Sequence, residues 1–193
     1  MHFFSHSVPI CLALSLVYFL ISPARAHKAH DHGRAKINIA VDGAQVTILL
    51  ESPLDNILSF EYAPVTLEQR EQVKEMARRM HQAESLFRLT PAAQCRLERV
   101  TLASEVLDAA LLDPNIPLDL AQTGKNMAQS GKGEHSDLDA EFSFICDKSE
   151  HLNSVDILLF SVWPKMEKIA VQATTPKGQR FVNLTPKRNQ VKW

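Results

Sequence analysis

The chain has 193 residues, of which 45% are hydrophobic, and its 21 basic and 22 acidic residues leave a formal net charge of −1. This length and balance are typical of one globular domain with a substantial core. There is no basic run and no interleaving of aromatic with basic residues, so nucleic-acid binding is not expected.

The N-terminus has the pattern of a secretory signal peptide. An apolar run from Val8 to Ile21 is too short to span a bilayer comfortably, and Ala24 and Ala26 fit the small-residue rule for signal peptidase. We therefore predict that residues 1–26 are cleaved and that the exported chain has no stable membrane insertion. The region before the apolar run lacks Lys and Arg, so a retained anchor is the alternative.

Cleavage after Ala26 would leave a histidine-rich N-terminus. Residues 27–34 contain His27, His30 and His32, and a terminal amine beside the imidazole of His27 would add a chelating pair. Neutral imidazole nitrogens suit zinc, copper or nickel, and they bind metal without a preformed site. We predict a flexible metal-binding tail here; the alternative is a remnant of the leader with no fixed ligand geometry.

The folded part is predicted to begin with a hairpin. Apolar and polar residues alternate over 36–41 and 45–51, and Asp42-Gly43 between them indicates a tight turn. Ser52-Pro53-Leu54 should break the second strand, and residues 56–64 are typical of a bent connection.

One long helix is predicted next. Thr66 is the expected N-cap, with Gln69 reaching back to it, and the helix should stop before Pro91. His81 lies beside the apolar stripe and is expected to be a hydrogen-bonded or exposed helix histidine rather than a ligand. The stripe that should pack on the sheet comprises Val73, Met76, Ala77, Met80 and Phe87.

Residues 95–103 predict a strand with a bulge between Leu97 and Val100, because the alternation of apolar and polar residues slips there. From Ser104 to Gly133 the period is lost, so a long loop is expected, with a disordered part near 113–133.

Two cysteines, Cys95 and Cys146, remain in the predicted mature chain. An even pair in an oxidising compartment is typical of a disulfide, which here would close a loop of about 50 residues. On the loop-entropy estimate, such a bridge is worth about 4 kcal/mol. The alternative is two buried thiols or soft metal ligands.

The most informative stretch is the strand predicted from His135 to Cys146. One face is apolar, and the other carries an imidazole and three carboxylates at every second position. These nitrogen and oxygen ligands suit a divalent metal on a rigid element. The alternative is a solvated face of a half-exposed antiparallel sheet. The ligand face comprises His135, Asp137, Asp139 and Glu141.

The C-terminal part should complete the sheet. A nearly continuous apolar run from Leu152 to Val162 predicts a central strand, and residues 168–173 and 179–184 predict a closing hairpin. The predicted fold class is α+β: a mainly antiparallel sheet of about seven strands with one long amphipathic helix packed on it. Residues 35–193 should form this single domain.

Several motifs together resemble the ZrgA-like periplasmic zinc-uptake proteins of Gram-negative bacteria, over essentially the whole mature chain. The resemblance implies a periplasmic zinc-binding accessory that hands Zn²⁺ to a zinc ABC importer, through the importer's solute-binding protein, without catalysis. The motifs are the His-x-x-His-x-His tail, Ala40-Val41-Asp42-Gly43, Leu50-Glu51-Ser52-Pro53-Leu54, Phe60-Glu61-Tyr62-Ala63-Pro64, His135 to Glu141, and Leu184-Thr185-Pro186.

Two departures from the family pattern bear on the metal. Relatives usually carry a His/Asp-rich insert before the ligand-bearing strand, whereas residues 122–134 contain no histidine, so high-capacity storage is not expected. Relatives also tend to have His where this chain has Tyr62. If that His supports the metal, the affinity of this chain should be lower.

The predicted ligand set has two parts. His135 would supply nitrogen and Asp137 oxygen to one Zn²⁺, with Asp139 or Glu141 as a further ligand or as the acceptor that fixes the imidazole tautomer. Next neighbours on a strand face are about 6.5–7 Å apart, so the whole face cannot reach one ion. The remaining ligands should come from the histidine tail or, as a second choice, from His151.

Other functions stay open. An N-terminal His with further imidazoles binds Cu²⁺ more tightly than Zn²⁺, so a copper-binding or copper-resistance protein is one alternative. An exported metal-dependent hydrolase using Asp137 and Glu141 is another, although the common hydrolase and phosphate-binding motifs are absent. A third is an interaction module with an acidic strand face. No dimer seam is evident in the sequence, and a monomer is expected.

Overall fold

A six-stranded sheet is the centre of the fold in the computed structural model, which describes residues 32–113 and 136–193. In chain order the elements are β1 (Arg34–Asp42), β2 (Gln45–Pro53), α1 (Asp55–Leu58), α2 (Leu67–His81), β3 (Phe87–Leu89), β4 (Cys95–Ala103), α3 (Ala109–Leu112), β5 (Asp137–Cys146), β6 (Ser154–Ile157), α4 (Leu159–Val162), β7 (Lys168–Thr175), β8 (Gly178–Leu184) and β9 (Gln190–Lys192). The strand order in the large sheet is β4-β5-β2-β1-β7-β8. Neighbours in it are antiparallel except β1 and β7, which are parallel. A smaller antiparallel sheet has the order β3-β6-β9.

The first hairpin is confirmed. Asp42 pairs with Gln45, so Gly43 and Ala44 form a two-residue turn. Gly43 has a φ of +56°, which glycine adopts without the steric cost of a Cβ atom. The strand break predicted at Ser52 comes slightly later, because β2 pairs with β5 as far as Pro53.

The capping box of α2 is also confirmed. The Thr66 hydroxyl accepts a hydrogen bond from the Gln69 backbone N–H at 3.1 Å, and the Gln69 side chain accepts one from the Thr66 N–H at 3.1 Å. Inclusion of Phe87 in the helical stripe was wrong, since α2 ends at His81 and Phe87 lies in β3. The buried stripe is Val73, Met76, Ala77 and Met80.

The predicted disulfide and bulge both lie on the pair of strands β4 and β5. Cys95 and Cys146 are bonded to each other from directly opposite positions. The register between the two strands shifts between Leu97 and Arg99, where the bulge was expected. Both features fix how the edge strand β4 lies against β5.

The fold class α+β is confirmed, but the predicted single sheet with one helix is wrong. The described residues contain nine strands in two sheets and four helices, of which α2 has 15 residues and the others four each. The run from Leu152 to Val162 divides into β6 and α4, because a continuous apolar run has no period that separates strand from helix. The predicted loop after Ser104 includes α3, which Asp108 caps with its side chain.

The core lies between the large sheet and the remaining elements. The inward residues of β5 are buried, and the ring of Phe142 lies 4.8 Å from that of Phe87 on the small sheet, measured between centroids. The two sheets therefore share one core. The apolar face of β5 comprises Leu138, Ala140, Phe142, Phe144 and Cys146.

The predicted signal peptide, His27, His30, His135 and residues 114–134 of the predicted loop lie outside the described residues. The first strand, β1, begins at Arg34, one residue before the predicted start of the domain. Within the two described ranges, no helix is long and apolar enough to cross a membrane.

Candidate metal centre

The polar face of β5 carries Asp137, Asp139 and Glu141 at alternate positions, between the buried residues of the core face. Asp139 is exposed, and the other two carboxylates are partly buried. The rigid strand therefore presents a row of oxygen ligands on the side of the sheet opposite the core.

The neighbouring strand β2 adds a carboxylate that the sequence analysis did not include. Glu51 pairs directly with Asp139, and Leu49 pairs with Glu141. Directly opposite side chains in an antiparallel pair have Cβ atoms about 4.5–5.5 Å apart, so the carboxylates of Glu51 and Asp139 can approach one ion. The alternation of β2 indicates that Glu51 faces the polar side, but its partner depends on the strand register.

Two of these carboxylates already have cationic partners. Lys36 Nζ lies 2.6 Å from Glu51 Oε1, and Arg99 Nη2 lies 3.1 Å from Glu141 Oε1. Such exposed pairs are worth about 1 kcal/mol or less, so a divalent cation could displace them at little cost. Metal binding by Glu51 or Glu141 would therefore require displacement of Lys36 or Arg99.

The row of carboxylates on β5 borders a depression of about 340 Å³ in the exposed face of the sheet. Its lining combines apolar side chains with carboxylates of the row. Its lining includes Asn38, Leu49, Glu51, Thr101, Asp139 and Glu141.

The start of β5 lies beside the end of β2. Pro53 pairs with Asp137, and the Leu54 N–H donates to the Ser136 carbonyl at 2.9 Å. His135 immediately precedes Ser136 in the sequence. The chain that leads into α1 is therefore bonded to the residue next to the predicted nitrogen ligand.

The same segment is bonded on its other side to the start of β1. The buried Asn56 amide accepts a hydrogen bond from the Gly33 N–H at 2.7 Å and donates to the Arg34 carbonyl at 2.8 Å. Its amide nitrogen also lies 3.2 Å from the Ser52 hydroxyl. The histidine tail joins the fold at the start of β1. This network holds that point at the same end of the strands as the start of β5.

His32 is the one tail histidine within the described residues. Its Nδ1 lies 3.3 Å from Asp55 Oδ2, and Lys165 Nζ lies 3.0 Å from Asp55 Oδ1. The hydrogen bond from Lys165 is the main cause that holds the pKa of Asp55 below its ordinary value, and His32 contributes further. Asp55 therefore offers an ionised oxygen next to a tail imidazole.

Two other histidines are located away from this edge. His151 ends a short 3₁₀ turn after β5, beside Lys148, whose N–H donates to the Ala93 carbonyl next to the disulfide. A ten-residue strand is about 30 Å long, so the structure does not bring His151 near Asp137. His81 Nε2 lies 3.1 Å from the Leu112 carbonyl, which fits the structural role expected for it.

No three His, Cys, Asp or Glu side chains within residues 32–113 and 136–193 are arranged closely enough to hold a metal ion. The described carboxylates alone therefore do not form a metal site. Imidazole nitrogens are among the ligands that zinc favours, and the described carboxylates would need such donors from elsewhere in the chain to form one.

The described residues form an α+β fold with a row of carboxylates on the polar face of one strand. The chain belongs to the ZrgA family, since the model of the ZrgA family zinc uptake protein matches residues 29–193. No curated protein matches the chain. The family resemblance found in the sequence is confirmed, and the family has a role in zinc uptake and is not an enzyme family.

Proposed function

We propose that this protein binds Zn²⁺ in the periplasm at the polar face of β5 and passes it to the solute-binding protein of a zinc ABC importer. The observation that carries the proposal is the meeting of two chain segments at one sheet edge: the start of β5 and the start of β1. Membership of a zinc uptake family supports zinc as the metal.

His135 and Asp137 supply the ligands of the first half of the proposed site, and Asp139 completes it or orients the imidazole. Glu141 can take part once Arg99, which lies 3.1 Å from its carboxylate, is displaced. Glu51 can assist from the adjacent strand once Lys36 is displaced.

The tail histidines His27, His30 and His32 form the second half of the proposed site. The hydrogen bonds between Asn56 and the start of β1 hold the root of the tail at the edge where β5 begins. A site whose two halves come from separate segments of the chain can release its metal stepwise. This property suits transfer to another protein better than storage does.

Calorimetric zinc titration of the chain from His27 tests the site. We expect about one equivalent of bound Zn²⁺, and at least a tenfold loss of affinity, roughly, in His135→Ala and Asp137→Asn. Asp147→Asn is the matched control, since Asp147 lies at the other end of β5 and pairs with Arg96 at 2.7 Å. It should bind zinc like the wild type.

Removal of residues 27–32, which takes away all three tail histidines, tests the second half. If zinc binding survives His135→Ala but is lost with the tail, the strand face is a solvated surface and the proposal fails. If the control Asp147→Asn weakens binding as much as Asp137→Asn, the effect is one of net charge and does not locate a site.

Delivery is tested by mixing the zinc-loaded protein with the metal-free solute-binding protein in the presence of a chelator. Direct transfer predicts that the solute-binding protein gains zinc faster than the chelator captures dissociated metal. Transfer at the rate of free dissociation would contradict the delivery role while leaving zinc binding intact.

Copper is the second candidate metal. The tail supports it, because an N-terminal histidine with nearby imidazoles favours Cu²⁺ over Zn²⁺ in the general order of affinities. Zn²⁺ and Cu²⁺ should therefore be titrated in competition. Copper that binds the tail alone, with zinc retained at His135 and Asp137, would assign separate metals to the two halves.

A further inference from the structure

The outer edge of β8 is a regular strand edge with no neighbour among the described strands. β8 pairs with β7 without interruption from Leu184 to Gly178. The Arg188 guanidinium donates to the Asn183 carbonyl at 3.2 Å, which shows that this carbonyl points away from β7. Backbone groups alternate in direction along a strand, so those of Phe181 and Gln179 point outward as well.

The opposite edge of the sheet, β4, is protected against strand addition. A bulge interrupts its register beside Arg99. Bulges are a common way to blunt an edge strand. β8 has no bulge in its pairing with β7, so the two edges differ in their capacity to accept another strand.

The chain around β8 is uniformly basic. Residues 168–193 contain six Lys and Arg residues and no Asp or Glu. Four of these cations lie next to or within β8, all are exposed, and none forms an ion pair with another described residue. They are Lys177, Arg180, Lys187 and Arg188.

A large apolar side chain accompanies these cations. Phe181 is 70% exposed and lies on the face of the sheet opposite the core, since it pairs with the exposed Gln172. An exposed aromatic side chain beside outward-pointing backbone groups can cover the side chains of an added strand. The edge therefore combines hydrogen-bonding groups, apolar area and positive charge.

We propose that the β8 edge binds an acidic, extended segment of a partner protein by strand addition. The unpaired cations favour an acidic occupant by charge complementarity. A second copy of this chain is disfavoured, because two β8 edges placed side by side would bring the same cations together. The proposal goes beyond zinc binding and does not depend on where the metal lies.

The test uses the chain from His27 and two capped nine-residue peptides that alternate threonine with glutamate or with lysine. Amide NMR spectra should change at Gln179, Phe181 and Asn183 on addition of the glutamate peptide. We expect the lysine peptide to bind at least about tenfold more weakly.

Three variants separate the contributions to this binding. Phe181→Pro removes an outward N–H that β7 does not use, and should weaken binding at least about fivefold, while Phe181→Ala keeps that N–H and should weaken it less. Arg180→Glu should weaken binding about fivefold, roughly as a reversed charge at a complementary edge does. Arg70→Glu on α2 is the matched charge control and should change it less than about twofold.

Several outcomes would overturn the proposal: no binding of the glutamate peptide, equal binding of both peptides, or equal effects of Arg180→Glu and Arg70→Glu. Binding of anionic vesicles that Arg180→Glu abolishes, without peptide binding, would favour a membrane surface instead. Concentration-dependent dimerisation that Phe181→Pro abolishes would favour a second copy. Zinc titrations of Phe181→Pro and Arg180→Glu should match the wild type, so failure of the docking edge is distinguishable from failure of the zinc site.

Discussion

The two ends of the six-stranded sheet differ in whether their charged side chains form ion pairs within the chain. Towards the end that includes β5, cations of the same chain neutralise carboxylates, as Arg99 does for Glu141 and Lys36 for Glu51. At the β8 end, exposed cations such as Arg180 have no acidic partner within the described residues. A metal ion that binds at the first end would displace internal cations, whereas neutralising the second requires another molecule.

The two ends also differ in strand pairing and in the burial of their side chains. β5 pairs with strands on both sides, its inner face is buried, and a disulfide joins it to β4. β8 pairs on one side only, and its first four residues are exposed. Substitutions of the same kind at the two ends should therefore have very different effects on stability.

The largest expected difference is between Phe142→Ala and Phe181→Ala. Phe142 is 0% exposed and contacts Phe87, so its truncation should lower the free energy of unfolding by about 3–5 kcal/mol. Phe181 is 70% exposed, and its truncation should change that free energy by less than about 0.5 kcal/mol. Urea unfolding followed by circular dichroism measures both.

A comparable loss of stability in both variants would contradict this contrast, because it would mean that Phe181 packs against the fold. Equal slopes of the unfolding free energy against urea are needed as a control. A changed slope would indicate that the variant alters the compactness of one of the states rather than the packing of one side chain.

Local sequence rules predicted the elements whose causes are local. The Asp42-Gly43 turn, the Thr66–Gln69 capping box and the slipped alternation beside Leu97 all act over a few residues. The parallel pairing of β1 with β7 joins distant parts of the chain and follows no local pattern. The division of the run from Leu152 to Val162 escaped prediction because a fully buried segment shows no period.

In the candidate site too, only the features that depend on local alternation were predictable. Alternation alone predicted that Asp137, Asp139 and Glu141 share one face, and the structure has this arrangement. The pairing of Glu51 with Asp139 was not predictable, since a register shift of one residue would turn Glu51 to the core. The Asn56 network was missed because no motif marks a buried amide that joins two strand ends.

The disulfide should give the next largest effect. In Cys95→Ala/Cys146→Ala the free energy of unfolding should fall by about 2–4 kcal/mol, because the unfolded chain loses the constraint on a long loop. Urea unfolding with and without reductant measures this. Reductant should destabilise the wild type by a similar amount and leave the double variant unchanged; sensitivity of the double variant to reductant would refute the assignment.

Asn56→Ala should have an intermediate effect at the metal-side edge. Asn56 is 2% exposed, and its loss leaves the Gly33 N–H and the Arg34 carbonyl without their partner. We expect a loss of about 1–3 kcal/mol in the free energy of unfolding. Relative to the wild type, hydrogen exchange should be accelerated more for the amides at the start of β1 than for those of β8. Equal acceleration at both ends would show that the network does not act locally.

The smallest expected effect tests the neutralisation of Asp55 by Lys165. In Lys165→Met, Asp55 loses the hydrogen bond that is the main cause of its lowered pKa, so this pKa should rise towards 3.8. A lowered pKa stabilises the folded state above 3.8, and that stability is lost as the pH falls through the pKa of the folded protein. The variant should therefore be less stable than the wild type by under about 1 kcal/mol near neutral pH, with the difference vanishing in acid.

Carboxyl NMR titration measures this pKa directly, and Glu75 supplies the control within the same spectrum. Arg78 and Arg79 lower the pKa of Glu75 to about 2, and Lys165 has no part in that shift. Glu75 should titrate identically in the wild type and in Lys165→Met. An unchanged pKa of Asp55 in the variant would mean that His32 alone holds this carboxylate, and the metal-side edge would then depend on a histidine of the tail for its charge balance.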